Sequence, residues 1–317
     1  MNSRKYIEDT TIKGRKEEIA IKVDRIKRLL ESEKLDALYL TRQANFSWIT
    51  AGSSNLVTIC TEDGVASILV TKDGKKYALT NAVEEARMRE EQLLEELGFE
   101  IISQAWYENR NMEFIKKIVG DMGKVGSDIH FDSTRMLQDK INPLRYSLTH
   151  NEICRYQYLG DYMSAALEKY VATVKPGMTE YEIAGGVAEA LWPEQIDQVL
   201  FLVAADERVL KHRHAIPTMN KLKKHLMVSC NGRYKGLITT TTRMVYFGTP
   251  PKGLLDQYTK TAQIECRMIS ATRPGVDDLV PHLIGKKAYE EFGYGDMYYK
   301  HHQGGPQIGR ASCRERV

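Results

Sequence analysis

Between positions 16 and 33, Ile19, Val23, Ile26, Leu29 and Leu30 recur at helical spacing, with Lys, Arg and Glu between them. That period predicts an amphipathic helix, and the interleaved charges of "RKEEIAIKVDRIKRLLESEK" read as its solvated face. "DALYL" (36–40) follows as a buried strand, then "NFSWITAG", then the strands "VASILVT" and "KYALT" around the turn "KDGK". A Glu- and Leu-rich stretch, 82–97, is predicted helical before "FEIISQ", and a second helix, 112–120, before "KVGSDIHF". This alternation of strands and helices predicts an α/β first domain over 1–146.

"SLTHNEICRYQYLGDYMSAALEKYVATV" then opens a second region with a long helix, which Thr149 caps with Glu152 three residues on. Within it, "ATVKPGMTEYEIAGGVAEAL" echoes "SATRPGVDDLVPHLIGKKAY", with Pro176-Gly177 and Pro274-Gly275 98 positions apart. Two copies of helix, Pro-Gly turn and helix suggest an internally duplicated domain. "MVSCNGRYKGLITTTTRMVYFG" (227–248) reads as two strands joined by a tight turn. A two-residue turn at Tyr234-Lys235 sets Ser229 directly opposite Thr240, close enough for two ligands to converge; a bulge at Gly232 or Gly236 would shift this register.

With 317 residues, 42% hydrophobic and 27% charged, the chain has the totals of a globular protein large enough for two cores. Its net charge of +3 is small and evenly spread, which argues against a nucleic acid or anionic membrane partner. The start lacks an apolar run resembling a signal peptide, and no window approaches a membrane span. Cys60, Cys154, Cys230, Cys266 and Cys313 have no paired spacing, so reduced thiols and a cytoplasmic location are expected. The last ten residues, "IGRASCRERV" (308–317), change character abruptly and resemble a translated sequencing adapter. Removing their three arginines and one glutamate leaves a net charge of +1. The natural chain is then expected to continue beyond Gln307; a genuine basic tail is the alternative.

The order "VAADERVLKHRHAIPTMNKL", "VSCNGRYKGLITTTTRMVYFG", "SATRPGV", "YYKHHQGG" resembles the family of methionine aminopeptidase, aminopeptidase P, prolidase and creatinase, over about 148–307. "LTRQANFSWITAG" resembles the N-terminal domain of creatinase and prolidase. The resemblance implies an α/β N-terminal domain and an α+β pita-bread domain over 147–307, incomplete at its C-terminus. It also implies a homodimer whose first domains cap neighbouring sites. In metallopeptidase members the hairpin carries two aspartates, in a pattern like Asp-x-Gly-x-x-x-x-Gly-x-x-x-Asp-x-Thr-Arg. Aligned on Gly236 and Thr242-Arg243, those aspartates fall on Ser229 and Thr240. The family's loop histidine matches His214, in His214-x-x-Pro217-Thr218. Its later His-x-x-x-His matches His301-His302-Gln303-Gly304-Gly305, which puts glycine, Gly305, at the metal-binding histidine.

Two bridged divalent ions need shared carboxylates to bind and neutralise them, and a Ser or Thr hydroxyl is neutral. The expectation is therefore no metal cofactor, the dinuclear site being lost at Ser229, Thr240 and Gly305. Creatinase, a member that cleaves a C–N bond without metal, implies His214 as acid and base; an unperturbed imidazole titrates near pH 6.5. His301 and His302 supply a second imidazole or donor, Arg243 a carboxylate clamp, and Ser229 with Thr240 a neutral pocket floor. The plainer alternatives are exposed loop histidines, a structural ion pair for Arg243, and inert strand threonines. The expected function is metal-independent hydrolysis of a C–N bond in a small amino-acid derivative or short peptide, by an Xaa-Pro peptidase, prolidase or creatinase relative. A catalytically inactive peptide binder, or a metallo Xaa-Pro peptidase with ligands elsewhere, are the alternatives.

Overall fold

Thr11 begins the first helix: its hydroxyl accepts from Gly14 N at 3.1 Å, and α1 (Ile12–Glu33) runs to Lys34, left-handed at φ 58°. In the computed structural model, which describes residues 7–302, the other elements follow in order. They are β1 (Ala37–Arg42), α2 (Gln43–Ile49), β2 (Asp63–Thr71), β3 (Lys76–Asn81), β4 (Glu100–Gln104), α3 (Asn111–Val119), β5 (Val125–Ser127), β6 (Arg135–Met136) and α4 (Gln138–Leu144). After them come α5 (His150–Val171), α6 (Glu180–Leu191), β7 (Asp197–Ala205), α7 (Glu207–Lys211), β8 (His225–Tyr234), β9 (Leu237–Tyr246), α8 (Lys252–Ala271) and α9 (Leu279–Glu291). The described chain forms two compact units, 7–162 with Gly232–Thr239, and Met163–Asn231 with the residues from Thr240 on. No described helix is long and apolar enough to cross a membrane.

The first unit is built on a mixed six-stranded sheet, β4-β3-β2-β1-β5-β6, antiparallel at β1–β2 and β2–β3 and parallel elsewhere. Alternation along β1 divides its core into two layers. Leu38 and Leu40 join Ile19, Ile26 and Leu30 of α1, whereas Ala37 and Tyr39 join Ile115 of α3. Helices on both faces of a largely buried sheet make this an α/β domain.

Two expectations hold only in part here. The stretch 82–97 is helical over 85–91 alone, where a first turn passes into a π-type turn, Arg87–Glu91. Leu93 takes φ 59°, and Ser54 N and the Ser53 hydroxyl donate to the Gln92 side-chain and main-chain oxygens, at 2.7 and 3.2 Å, in place of a continued ladder. Met88, Leu94 and Leu97 still reach the core, which accounts for the helix-like apolar content.

The charged face of α1 is also not all solvated. Glu18 and Lys22 are buried; Lys22 Nζ lies 2.5 Å from Glu18, 2.9 Å from Glu152 and 2.7 Å from the Trp48 carbonyl. Arg155 of α5 forks onto both Glu18 oxygens at 2.9 and 2.7 Å and donates to Glu8 at 2.7 Å. Such charges tolerate burial only because every one is paired. Glu152 carries out two tasks, since it also completes the α5 capping box with Thr149, the two bonds measuring 2.8 and 3.3 Å.

In the second unit α6 starts at a capping box of Thr179 and Glu182. The Pro-Gly turns before α6 and α9 both hold glycine left-handed, Gly177 at φ 96° and Gly275 at φ 81°. Strand β8 is central in a three-stranded sheet, β7-β8-β9.

Candidate functional site

The turn between β8 and β9 is Lys235-Gly236, with φ 47° and 79°, as a type I′ hairpin requires. Glycine supplies one of the two positive angles at no steric cost, so the turn settles there and not at Tyr234-Lys235. The register moves accordingly. Ser229 faces Thr242, whose Oγ1 donates to Ser229 Oγ at 2.9 Å, and Thr240 Oγ1 donates to Asn231 Oδ1 at 2.9 Å. Ser229 and Thr240 are therefore diagonal neighbours and not direct partners. A shift of two keeps every side chain on its own face.

These hydroxyls are tied to neutral partners, and no residue from Met227 to Gly248 is a carboxylate. That donor set does not fit a dinuclear divalent centre, which needs anionic oxygens to hold and neutralise four positive charges. Gly305 and Gly304, like the tail 308–317, lie outside the described residues. Arg243 Nε and Nη2 both donate to Glu168 Oε1, at 3.0 and 2.5 Å.

His214 sits in the irregular segment after α7, and three residues, Glu180, Arg208 and Asp206, fix that segment. Buried Glu180, the first residue of α6, accepts from Ala205 N, Thr218 N and Thr218 Oγ1 at 2.8 Å each, and from Arg208. Burial alone would raise the Glu180 carboxyl; Arg208, Thr218 and the two amides outweigh it and hold it below the usual range. Arg208 also donates to the Ile216 carbonyl at 3.0 Å. Asp206, in a strained backbone conformation (φ 55°), accepts from the amides of Lys223, Lys224 and His225 at 2.9, 2.8 and 3.1 Å. The loop is thus bound at both ends, leaving His214 exposed. Sequence reasoning missed Glu180, Arg208 and Asp206. Glu180 gave one signal, a carboxylate directly after a capping threonine, but acids are ordinary in a helix's first turn.

His301 and His302 follow a short 3₁₀ turn, Gly295–Lys300, and meet His214. His214 Nε2 and His301 Nε2 are 3.0 Å apart, with the rings edge-on at 80°. His301 Nδ1 contacts the His302 carbonyl at 2.6 Å. A carbonyl only accepts, so His301 carries its proton on Nδ1 and presents the Nε2 lone pair to His214. His214 Nε2 then donates, which leaves the His214 lone pair on Nδ1. One ring nitrogen from each of the three histidines lies within 4.8 Å of the other two. Partial desolvation of the ring, in a residue that is exposed as a whole, and then the neighbouring His301 and His214 push His302 below the usual imidazole range. The sequence-expected histidines are brought together; Ser229 with Thr240, and Arg243, have the separate partners given above.

Two family models match the chain. The creatinase/prolidase N-terminal domain covers residues 22–150, and metallopeptidase family M24 covers 155–315. An uncharacterized peptidase of Staphylococcus aureus (strain USA300) is 21% identical over 295 residues, 86% of this chain and 80% of that protein. Dipeptidase PepE from Mycobacterium ulcerans has the same fold at 16% identity, with a TM-score of 0.74 over 95% of this chain and 86% of that one. Prolidase from Pyrococcus furiosus, also 16% identical, superposes with a TM-score of 0.68 over 85% and 79% of the two chains.

Proposed function

Because this chain belongs to metallopeptidase family M24 and carries a creatinase/prolidase N-terminal domain on a pita-bread fold, we propose that it hydrolyses a C–N bond in a short peptide or small amino-acid derivative without metal. The peptidase relatives and the fold shared with a dipeptidase and a prolidase support the reaction class. One observation carries the route: the imidazole pair His214–His301, 3.0 Å apart and locked in tautomer by the His302 carbonyl.

In the proposed cycle His214 Nδ1 takes a proton from a water molecule as its oxygen adds to the substrate carbonyl carbon. His301 Nε2 accepts from His214 Nε2–H throughout and stabilises the imidazolium. The tetrahedral intermediate collapses, the C–N bond breaks, and the leaving nitrogen receives the proton that His214 had taken. Ser229 and Thr240 form a neutral floor, and Arg243 binds a substrate carboxylate after exchanging it for the exposed Glu168. We place the protein in the cytoplasm, as a homodimer.

The test is turnover of Xaa-Pro dipeptides and creatine-like amides by the purified chain, before and after chelation. Activity that survives chelation and falls by about 10²–10⁴-fold in His214→Ala is expected. Chelator-sensitive turnover would overturn the metal-free route. A second reading, an inactive peptide binder, is favoured by one feature: the hairpin hydroxyls and Arg243 are already occupied by protein partners. Tight peptide binding without turnover would select it.

A further inference from the structure

We propose that His214, His301 and His302 form a mononuclear site for a borderline-soft divalent ion such as Zn²⁺. One ring nitrogen from each side chain lies within 4.8 Å of the others, and the closest pair is 3.0 Å apart. Zinc–imidazole bonds of about 2.0–2.1 Å at a tetrahedral angle place ligand nitrogens roughly 3.3–3.4 Å apart, so the closest pair needs to open by only a few tenths of an ångström.

Metal-bound imidazoles share one feature that is present here: the ring nitrogen facing away from the ion donates to a fixed acceptor. His301 Nδ1–H donates to a backbone carbonyl, which fixes the ring and turns Nε2 toward the shared centre. His214 becomes a ligand by moving its proton from Nε2 to Nδ1, so three neutral imidazoles bind without net proton release. The loop under His214 is held by Glu180 and Asp206, and so the ligand starts from a fixed backbone. Three nitrogen donors without a carboxylate favour Zn²⁺, Co²⁺, Ni²⁺ or Cu²⁺ over Mg²⁺ or Mn²⁺. His214 and His302 are exposed, leaving the fourth tetrahedral position to water.

The binding does not depend on the hydrolytic reading. A corollary does rest on it: an ion on these imidazoles removes the His214–His301 proton couple, so zinc inhibits the metal-free reaction.

The experiment is a calorimetric titration of the metal-free full chain with Zn²⁺, paralleled by Co²⁺ titration followed by visible absorption. One ion per chain with a tetrahedral Co²⁺ spectrum is expected. Affinity is expected to fall by about tenfold or more in His214→Ala, and again in His301→Gln, the second variant serving if the first melts early. His282→Ala, on α9 and outside the cluster, is expected to bind as the wild type does. No stoichiometric binding, or binding unchanged in both cluster variants, would overturn the proposal. Stoichiometric binding in a protein without hydrolytic turnover sustains this site and sinks the hydrolase reading instead; turnover without binding does the reverse.

Discussion

Glu180 has both carboxylate oxygens occupied and no exposure, whereas Arg243 and Glu168 pair at 32% and 59% side-chain exposure. The two ion pairs therefore carry different weights. Replacing Glu180 by Gln sets an amide NH₂ against main-chain donors that now find an oxygen, and it strips Arg208 of its counter-ion. A cost of about 2–4 kcal/mol is expected. Arg243→Ala, breaking a solvent-screened pair, is expected to cost less than about 1 kcal/mol. Urea unfolding of both variants measures the difference, and similar midpoints would refute it. Composition cannot distinguish these two glutamates. Likewise the histidines of "KHRH" and "KHHQ" were visible as candidates, but their meeting across 87 positions was not. Pairing depends on where the Glu180-anchored loop is held, and that is a tertiary fact.

At the scale of elements, the β8–β9 hairpin was legible in its strands and misread in its register. The strands follow from β-branched content and the glycine marks the turn, yet which two residues occupy it depends on Lys235 accepting φ 47°. Gly236 is constrained twice: it sits at φ 79°, and a Cβ there would lie 2.4 Å from Ser47 Cβ. Gly177 shares the positive φ, at 96°, but a Cβ would meet nothing within 4 Å. Alanine at Gly177 is therefore expected to cost about 1–2 kcal/mol of backbone strain alone. Gly236→Ala is expected to cost more, because either the turn or α2 must shift as well. Thermal melts of the two variants compare strain with strain plus clash; equal shifts would mean that Ser47 yields freely. The shortened helix at 82–97 has the same kind of cause. Helix formers and apolar spacing were present, and bonds from the Ser53 hydroxyl and the Ser54 amide to Gln92 redirected the chain.

For the molecule as a whole, the sequence of strands and helices, the duplicated Pro-Gly turns and the motif order were enough to reach an α/β unit followed by a pita-bread unit. The buried ion cluster was hidden because Glu18 and Lys22 look identical to the solvated charges beside them on α1. It carries a stability consequence of its own. Burial would raise the Glu18 carboxyl, but Lys22 and Arg155 outweigh it and hold it down at about 2 from an ordinary 4.5. A depressed folded-state value stabilises above the unfolded value and is lost as pH falls from near 4.5 toward 2. The loss amounts to roughly 3 kcal/mol, and protonation also leaves Lys22 and Arg155 short of a counter-ion. Trp48 reports on this region directly, since its carbonyl accepts from Lys22 and its ring lies 5.7 Å from Lys22 Nζ. Trp106 and Trp192 are already 71% and 61% exposed, so a red shift of tryptophan emission on acidification comes from Trp48, itself 4% exposed. The first unit is expected to open in that pH window in wild type. In a Glu18→Gln variant, which has no carboxyl to titrate there, the midpoint is expected to start lower in stability and to move little between pH 4.5 and 2. Parallel acid curves for the two proteins would show that the cluster does not govern the transition.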